Sequence, residues 1–398
     1  MRIHTVKEGD TVFKIARSYS VPPAKIIENN ALINPDRLYP GQKLIILMPT
    51  RSYTVRGGDT LDSIAIRFGV DKSELRRNNP ALMGGERIYP GQILAVKYES
   101  KPFGNAVTNG YFSKNCEKES LSLFLPHLSY ITFAAFKWEG RKLSKLFNYE
   151  AALEAAKREN ALPVLRVYTE EPFCEIKNGG FAESVISEAA NEGFFAVSFA
   201  GKCTKEKGFS DFFAKFRDKL HSSGLEAHVE LDGNSEIECY GNLSENADLT
   251  LLNYETSSNC DFDSSIGAFL KKYSETLSPE KTLFDLFPSI CFGEKQIDFQ
   301  ELEKLIISRG ITPYYSEKAK CSEFKLSYYT GGKKEEIEIS FPTPENTIAK
   351  LELLAELGYM GASFDIAKST VASLMCFNSL FHAVKLTGGK GNSCRGED

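Results

Sequence analysis

Eight short apolar runs, separated by stretches of helical periodicity, fill residues 103–386 and leave few ways for them to fold. The runs are Ala106–Phe112, Leu128–Ala135, Pro163–Tyr168, Phe194–Ala200, Ala227–Leu231, Leu249–Tyr254, Thr282–Phe287 and Met360–Phe364. Each is rich in β-branched or aromatic residues, as buried strands are. Between them lie helical patterns such as Tyr149–Glu159, Asp211–His221, Ile266–Tyr273, Phe299–Ser308 and Glu345–Leu357. Eight strands with intervening helices in about 280 residues predict an α/β chain built on a (β/α)8 TIM-type barrel. An open, doubly wound sheet would carry a Gly-rich phosphate turn after its first strand, and Tyr111-Phe112-Ser113-Lys114 is not one. Phe324–Tyr329 and Glu335–Ser340 read as a hairpin closed by Thr330-Gly331-Gly332-Lys333, a hairpin insertion before the last strand. Residues 387–398, Gly-rich and polar, read as a disordered tail.

The first hundred residues repeat. His4-Thr5-Val6-Lys7-Glu8-Gly9-Asp10-Thr11 returns as Tyr53-Thr54-Val55-Arg56-Gly57-Gly58-Asp59-Thr60, 49 residues on. Leu38-Tyr39-Pro40-Gly41-Gln42-Lys43-Leu44 returns as Ile88-Tyr89-Pro90-Gly91-Gln92-Ile93-Leu94, 50 residues on, so one residue is inserted near Met83-Gly84-Gly85. In each copy a strand such as His4–Val6 ends in a glycine turn. An Asp (Asp10, Asp59) stands where it can cap a helix with Val12, Ile15, Ala16 and Tyr19, or Leu61, Ile64, Ala65 and Phe68, on one face. A second short helix starts at Pro22-Pro23, where proline fits a first turn, and the Tyr-Pro-Gly-Gln turn leads to a closing strand, Lys43–Leu47.

Both copies resemble LysM modules, through the strand-Gly-Asp-Thr start, the paired Asn and the Pro-Gly-Gln turn in register. The resemblance divides the chain into two small β-α-α-β modules, 1–49 and 50–98, ahead of the barrel at 103–386. It implies binding of N-acetylglucosamine-containing glycans, meaning peptidoglycan, spore cortex or chitin. The implied groove maps onto Gly9, Asp10, Thr11, Asn30 and Ile33 in the first copy. In the second it maps onto Gly58, Asp59, Thr60, Asn79 and Met83. Capping explains the two Asp residues as well as glycan contact does, and turn geometry explains the glycines. Joined by short linkers at Met48–Ser52 and Lys97–Lys101, two weak modules would gain through effective concentration on a repeating polymer.

The barrel resembles glycoside hydrolase family 18, and within it the LysM-bearing branch found on bacterial spores. The likeness rests on order and spacing: Leu128-Ser129-Tyr130-Ile131 then Gly140, Phe212, Phe216, Leu220-His221 and Gly224-Leu225. It continues through Ala247-Asp248, Leu252-Asn253-Tyr254-Glu255, the hairpin, and Ala349-Lys350-Leu351 with Gly361. The resemblance implies substrate-assisted cleavage, an exception to the two-carboxylate scheme, in which a Glu protonates the glycosidic oxygen and a nearby Asp supports the cationic ring. Those groups lie on strand four in an Asp-x-x-x-x-Asp-x-Glu spacing. Laid on this chain, the spacing falls on Phe195, Ala200 and Lys202, with no carboxylate among them. An amine with a pKa near 10.4 is poorly matched to proton donation at neutral pH, and its charge repels a cationic intermediate.

Other positions depart as well. The family's tryptophan after the last strand falls on Phe364 or Asp365, and the Trp-x-Glu-Asp of spore relatives becomes about Ser340-Phe341-Pro342-Thr343. Tyr254, implied by the resemblance to bond the substrate acetamide, is kept, but Glu255 follows it in place of Asp. Trp138, the single tryptophan, follows strand two and is a candidate for stacking on a sugar beside Tyr254.

The expectation is a glycan-binding protein of spore or cell wall whose barrel is a pseudoenzyme retained as scaffold, lectin or docking surface for spore-coat proteins. The alternative is a glycosidase with relocated carboxylates, for which Asp232, Glu255 and Asp365 stand at strand carboxyl ends. Residues 1–100 hold 15 Lys and Arg against 10 Asp and Glu, while the whole chain carries −5, too mild a polarity to call for nucleic acid. No window approaches the ~20 apolar residues of a membrane span, and the amino terminus has no signal-peptide core, so no membrane role is expected. Synthesis in the cytoplasm followed by assembly onto a spore is expected, with a cytoplasmic location as the alternative. Nine cysteines, none in a Cys-x-x-Cys, read as reduced thiols. No cofactor and no metal are called for.

Overall fold

The computed structural model describes all residues except 83–84, 179, 235–236, 255–261, 287–289, 293–294, 298, 331–332 and 387–398. Eight parallel strands close on themselves: β1 (Gly104–Phe112), β2 (Tyr130–Glu139), β3 (Leu162–Thr169), β4 (Ala196–Gly201), β5 (Glu226–Asp232), β6 (Leu249–Asn253), β7 (Thr282–Asp285) and β8 (Gly361–Asp365). Neighbours pair in chain order, and β8 returns to β1 through Gly361–Val107 to Asp365–Tyr111. The TIM-type barrel is therefore as the sequence predicts.

Side chains alternate across each strand, so one parity fills the barrel and the other faces the helices. Val107, Tyr111, Tyr130, Val164, Ala196, Leu249, Leu251 and Leu283 form the inner apolar cluster. The outer parity, with the helical layer, builds the larger core, which is dense in phenylalanine: Phe181, Phe199, Phe209, Phe212, Phe213 and Phe216 pack around one another edge-to-face or tilted, with Phe209–Phe213 and Phe212–Phe216 stacked. The helix Phe209–Ser222 lays Phe209, Phe213, Phe216 and Leu220 on this core at i, i+4, i+7 and i+11.

Between β7 and β8 the chain builds a three-stranded antiparallel sheet, Tyr314–Ser316, Cys321–Thr330 and Lys333–Pro342. Its own core of Ile290, Leu302, Ile306, Phe324, Ile339 and Phe341 also takes Tyr39 from the first module.

Each amino-terminal module pairs its first and last strands antiparallel, Arg2–Thr5 with Lys43–Ile46 and Pro49–Thr54 with Ile93–Tyr98, around two short helices. The helix caps differ from the sequence expectation. Thr11 and Thr60, not the Asp before them, accept the N-cap bonds from Lys14 and Ser63 N–H. The expected linkers are also absent as linkers. Pro49–Thr54 is already the first strand of the second module, and Ile45, Leu47, Ala95 and Tyr98 join the barrel's outer core. Lys43 pairs with Glu345 at 2.8 Å and Arg76 with Glu159 at 2.6 Å, so both modules are docked on the barrel. The two modules lean on each other through Lys25 Nζ, which donates to Asn79 Oδ1 at 2.8 Å, and through Asn29 and the Tyr98 hydroxyl.

Candidate glycan sites in the modules and the barrel mouth

In the first module, Gly9 has a φ of 78° and turns the chain so that Asp10 folds back. Asp10 Oδ2 accepts from the Lys7 N–H at 2.8 Å and faces His4 Nε2 at 3.0 Å, and these bonds hold its carboxyl below the usual range. Asp59 is held in the same way, first by the Arg56 N–H and then by the Tyr53 hydroxyl. Both carboxylates therefore close the turn.

Asn30 Nδ2 donates to Ile26 O and Ile45 O at 2.9 Å, and its Oδ1 accepts from Ile45 N–H at 2.8 Å. Asn79 repeats these bonds with Leu75 and Ala95 and is almost wholly buried. Their amides tie helix to closing strand, where the resemblance implies a groove contact. Gly9, Thr11, Gly58 and Thr60 lie at the surface, and Ile33 is 66% exposed. Met83 lies outside the described residues. Phe13, 71% exposed, is a surface group the sequence reading missed. Its signal was an aromatic set on the polar side of an amphipathic helix.

At the barrel's carboxyl end, β4 turns Ala196, Ser198 and Ala200 inward. Phe195 lies at the opposite end of the strand, half-buried against Tyr130, and packs with the inner cluster. Lys202 begins a 3-10 turn outside the barrel and is exposed. Gly201 between them is forced by space, since a Cβ there would lie 2.7 Å from Thr169 O on β3. The three positions of the family spacing are thus scattered: one at the floor, one at the rim and one outside.

Ionisable groups occupy other inward positions. Arg166 on β3 grips Glu230 on β5 in a two-pronged ion pair: Nε lies 2.7 Å from Oε1, and Nη2 lies 2.8 Å from Oε2. The Ser198 hydroxyl donates to Glu230 Oε1 at 3.3 Å. Asp285 on β7 is 4% exposed, and its Oδ1 has no hydrogen-bond partner among the described residues. Burial first, then the Glu230 carboxylate, pushes the Asp285 carboxyl well above the usual carboxylate range. The Ser363 hydroxyl beside it and then the Arg166 guanidinium offset the shift in part. Asp232 meets Lys205 at 3.0 Å, and Asp365 accepts from the Ala367 N–H at 3.0 Å with Lys368 at 3.7 Å. Glu255 lies outside the described residues. Sequence reading missed Arg166, Glu230 and Asp285. Their signal was a polar residue at the inward parity of an otherwise apolar strand.

The two aromatic candidates fare differently. Tyr254 is half-buried and stacked face to face on Phe269, with ring centroids 3.9 Å apart. Trp138 is fully buried against Phe181 in the outer core, at 5.3 Å and 85°, and so corrects the expectation of a sugar-stacking tryptophan. Strand β2 carries it outward because a register shift between Phe133 and Phe136 interrupts the alternation. Its emission is therefore expected to be blue-shifted, protected from iodide, and unchanged by chitin oligomers. A quenched or ligand-sensitive signal in fluorescence titration would contradict this placement.

A raised carboxyl costs stability once solvent would ionise it. With the Asp285 pKa higher folded than unfolded, its stabilising contribution is full below about pH 4 and is lost as pH rises toward the folded pKa. Asp285→Asn is expected to be more stable than the parent at neutral pH, with the gap closing on acidification. Urea unfolding at two pH values measures this; a parent equally stable at both, relative to the variant, would count against it.

The LysM domain family matches residues 4–47 and 53–97. The Endolysin of Bacillus phage B103 is 32% identical over 99 residues, a match covering 24% of this chain and 38% of that protein. The chain therefore spans well under half the length of this curated relative. In three dimensions the chain superposes on the spore cortex-lytic enzyme SleL of Bacillus cereus with a TM-score of 0.72 at 20% identity, covering 97% of this chain and all of that one. A chitinase from Chromobacterium violaceum superposes with a TM-score of 0.59 at 13% identity, over 69% of this chain and 98% of its own. Among the described residues, no helix is long and apolar enough to cross a membrane. The chain thus consists of two LysM domains docked on a (β/α)8 barrel that shares its fold with chitinases and with the spore cortex-lytic enzyme SleL.

Proposed function

We propose that this protein binds N-acetylglucosamine-containing glycan of spore cortex or cell wall through its LysM domains, and that its barrel does not hydrolyse what the domains hold. The observation that carries the second half is strand β4, which offers Ala196, Ser198 and Ala200 to the barrel interior and Lys202 to solvent. Absence of a general acid alone costs roughly a hundred- to ten-thousandfold in rate, and the missing Asp adds to that. The wall setting is supported by the endolysin and by the cortex-lytic enzyme whose fold the chain shares. Spore-coat proteins are the proposed partners of the barrel's outer surface, reached from the cytoplasm during spore assembly.

The test separates binding from cleavage. The full chain is incubated with peptidoglycan, cortex fragments or chitin oligomers, and pelleting and reducing-end release are assayed in parallel. Pelleting without release is expected. Failure to pellet removes the binding half. Release that disappears in Asp365→Asn or Glu255→Gln would instead establish a glycosidase with relocated carboxylates.

A further inference from the structure

The second LysM domain meets the barrel over a histidine. Its helix Lys72–Arg77 packs on the turn Leu125–His127, which leads into β2. Arg77 Nη1 donates to Pro126 O at 3.4 Å. Asn378, on the helix Val371–Leu380, is clamped between domain and turn. Its Nδ2 donates to Arg77 O at 3.3 Å, and its Oδ1 faces His127 Nδ1 at 3.1 Å. A backbone carbonyl can only accept, so Arg77 O fixes which way the amide points, and His127 Nδ1 must carry the hydrogen. The ring is 2% exposed, and it is either the neutral Nδ1–H tautomer or the doubly protonated cation.

The surroundings oppose the cation. Among the described residues, the charged groups that act on the ring are Arg77, Lys385 and Arg76, all positive. Lys385 Nζ grips the same turn, donating to Leu125 O and Leu128 O at 2.8 Å and to Glu159 O at 3.0 Å. The nearby carboxylates are engaged elsewhere: Glu159 with Arg76 at 2.6 Å, and Glu74 and Asp71 with the Arg77 charge from within the second domain. Burial first, then Arg77, lowers the imidazole to about 3, with Lys385 and Arg76 adding to the effect and the Asn378 bond opposing it. Parted from the domain, His127 would meet water and take up a proton near pH 6.5, as an ordinary imidazole does. The docked form therefore binds one proton fewer between about pH 6.5 and about pH 3. Docking is full above about pH 7 and weakens as pH falls through that range.

We propose that the contact between the second LysM domain and the barrel is a proton-controlled latch, closed over a neutral His127 and released when that ring takes up a proton. The first domain is held by groups outside this cluster, Tyr39 in the hairpin core and the Lys43–Glu345 pair. Acid therefore loosens the Arg76–Arg77 edge and leaves the first domain's hold in place. Lys385 works in the same sense at higher pH. Burial, against the pull of the Glu159 carboxylate and with Arg77 and Arg76, lowers its amine to about 7, so the docked form also resists charging there.

The experiment is amide hydrogen exchange of the full chain, read by mass spectrometry at about pH 7.5 and about pH 5, with labelling times scaled for the intrinsic rate at each pH. The segments followed are 72–79 and 121–128 at the contact, with β4 as the reference. Protection at the contact is expected to fall by at least about threefold, and by up to about thirtyfold, between the two pH values, while β4 keeps its own. His127→Asn retains a donor for Asn378 Oδ1 but cannot take up a proton, so its contact should be equally protected at both. A parent whose contact changes by less than about threefold overturns the latch, as does an equal loss in β4 or in the variant. Imidazole NMR of the parent gives a test that needs no variant. The His127 ring should show the Nδ1–H tautomer at neutral pH and titrate only as protection at 72–79 is lost. A ring that titrates near pH 6.5 under an intact contact overturns the proposal.

Discussion

Arg166→Met is expected to lower the unfolding free energy by about 3–5 kcal/mol, because it leaves the Glu230 carboxylate buried in the barrel without its cation. The Ser198 hydroxyl at 3.3 Å is then the nearest compensation, and one neutral bond does not replace a two-pronged ion pair. The double variant Arg166→Met/Glu230→Leu should recover most of the loss, since no charge is left to strand and the inner apolar cluster lies directly below. Urea unfolding of parent, single and double variants checks both statements. A single variant within about 1 kcal/mol of the parent would mean that Glu230 is solvated, which the 14% exposure of its side chain argues against.

The barrel is legible in the sequence because its strands are short apolar runs between strongly periodic helices, and both patterns are local. Phe209, Phe213, Phe216 and Leu220 announce a helix without reference to anything distant. The LysM domains are legible because the same turn and strand chemistry appears twice in register. The interior of the barrel is less so. Arg166, Glu230 and Asp285 are each one polar residue in an apolar strand, and only barrel closure brings β3, β5 and β7 to one axis. The family's carboxylate spacing along β4 falls on Phe195, Ala200 and Lys202, whereas the buried ionisable groups stand on β3, β5 and β7. Trp138 misled for a related reason. Strict alternation past the end of β2 would set its facing, and the register shift after Phe133 breaks that alternation. Asp10 and Asp59 were ambiguous between cap and contact, because both roles demand a short carboxylate after a glycine turn.

Asn79→Ala should cost about 3–5 kcal/mol, more than the same change at Asn30, although the two residues hold equivalent places in the repeat. Each amide makes two bonds to the closing strand and one to its own helix, so the local loss is alike. The difference lies in burial and in Lys25. Asn79 is almost wholly enclosed, and its Oδ1 also accepts from Lys25 Nζ of the first domain at 2.8 Å. Lys25 is itself buried, with Glu28 its other partner, and burial lowers its pKa despite that carboxylate. Removing Asn79 therefore strands a backbone N–H and two carbonyls in the second domain and takes one ligand from a buried ammonium in the first. Lys25→Met in the Asn79→Ala background should cost less than Lys25→Met alone, because the bond between them is already gone. A double-mutant cycle by urea unfolding gives the coupling directly. Strict additivity would mean that the two LysM domains stand side by side without sharing this contact, and that each could meet a glycan chain in its own orientation. Coupling of about 1 kcal/mol or more ties them into one rigid pair, so that the surfaces around Ile33 and Thr60 are presented to a glycan at a fixed spacing.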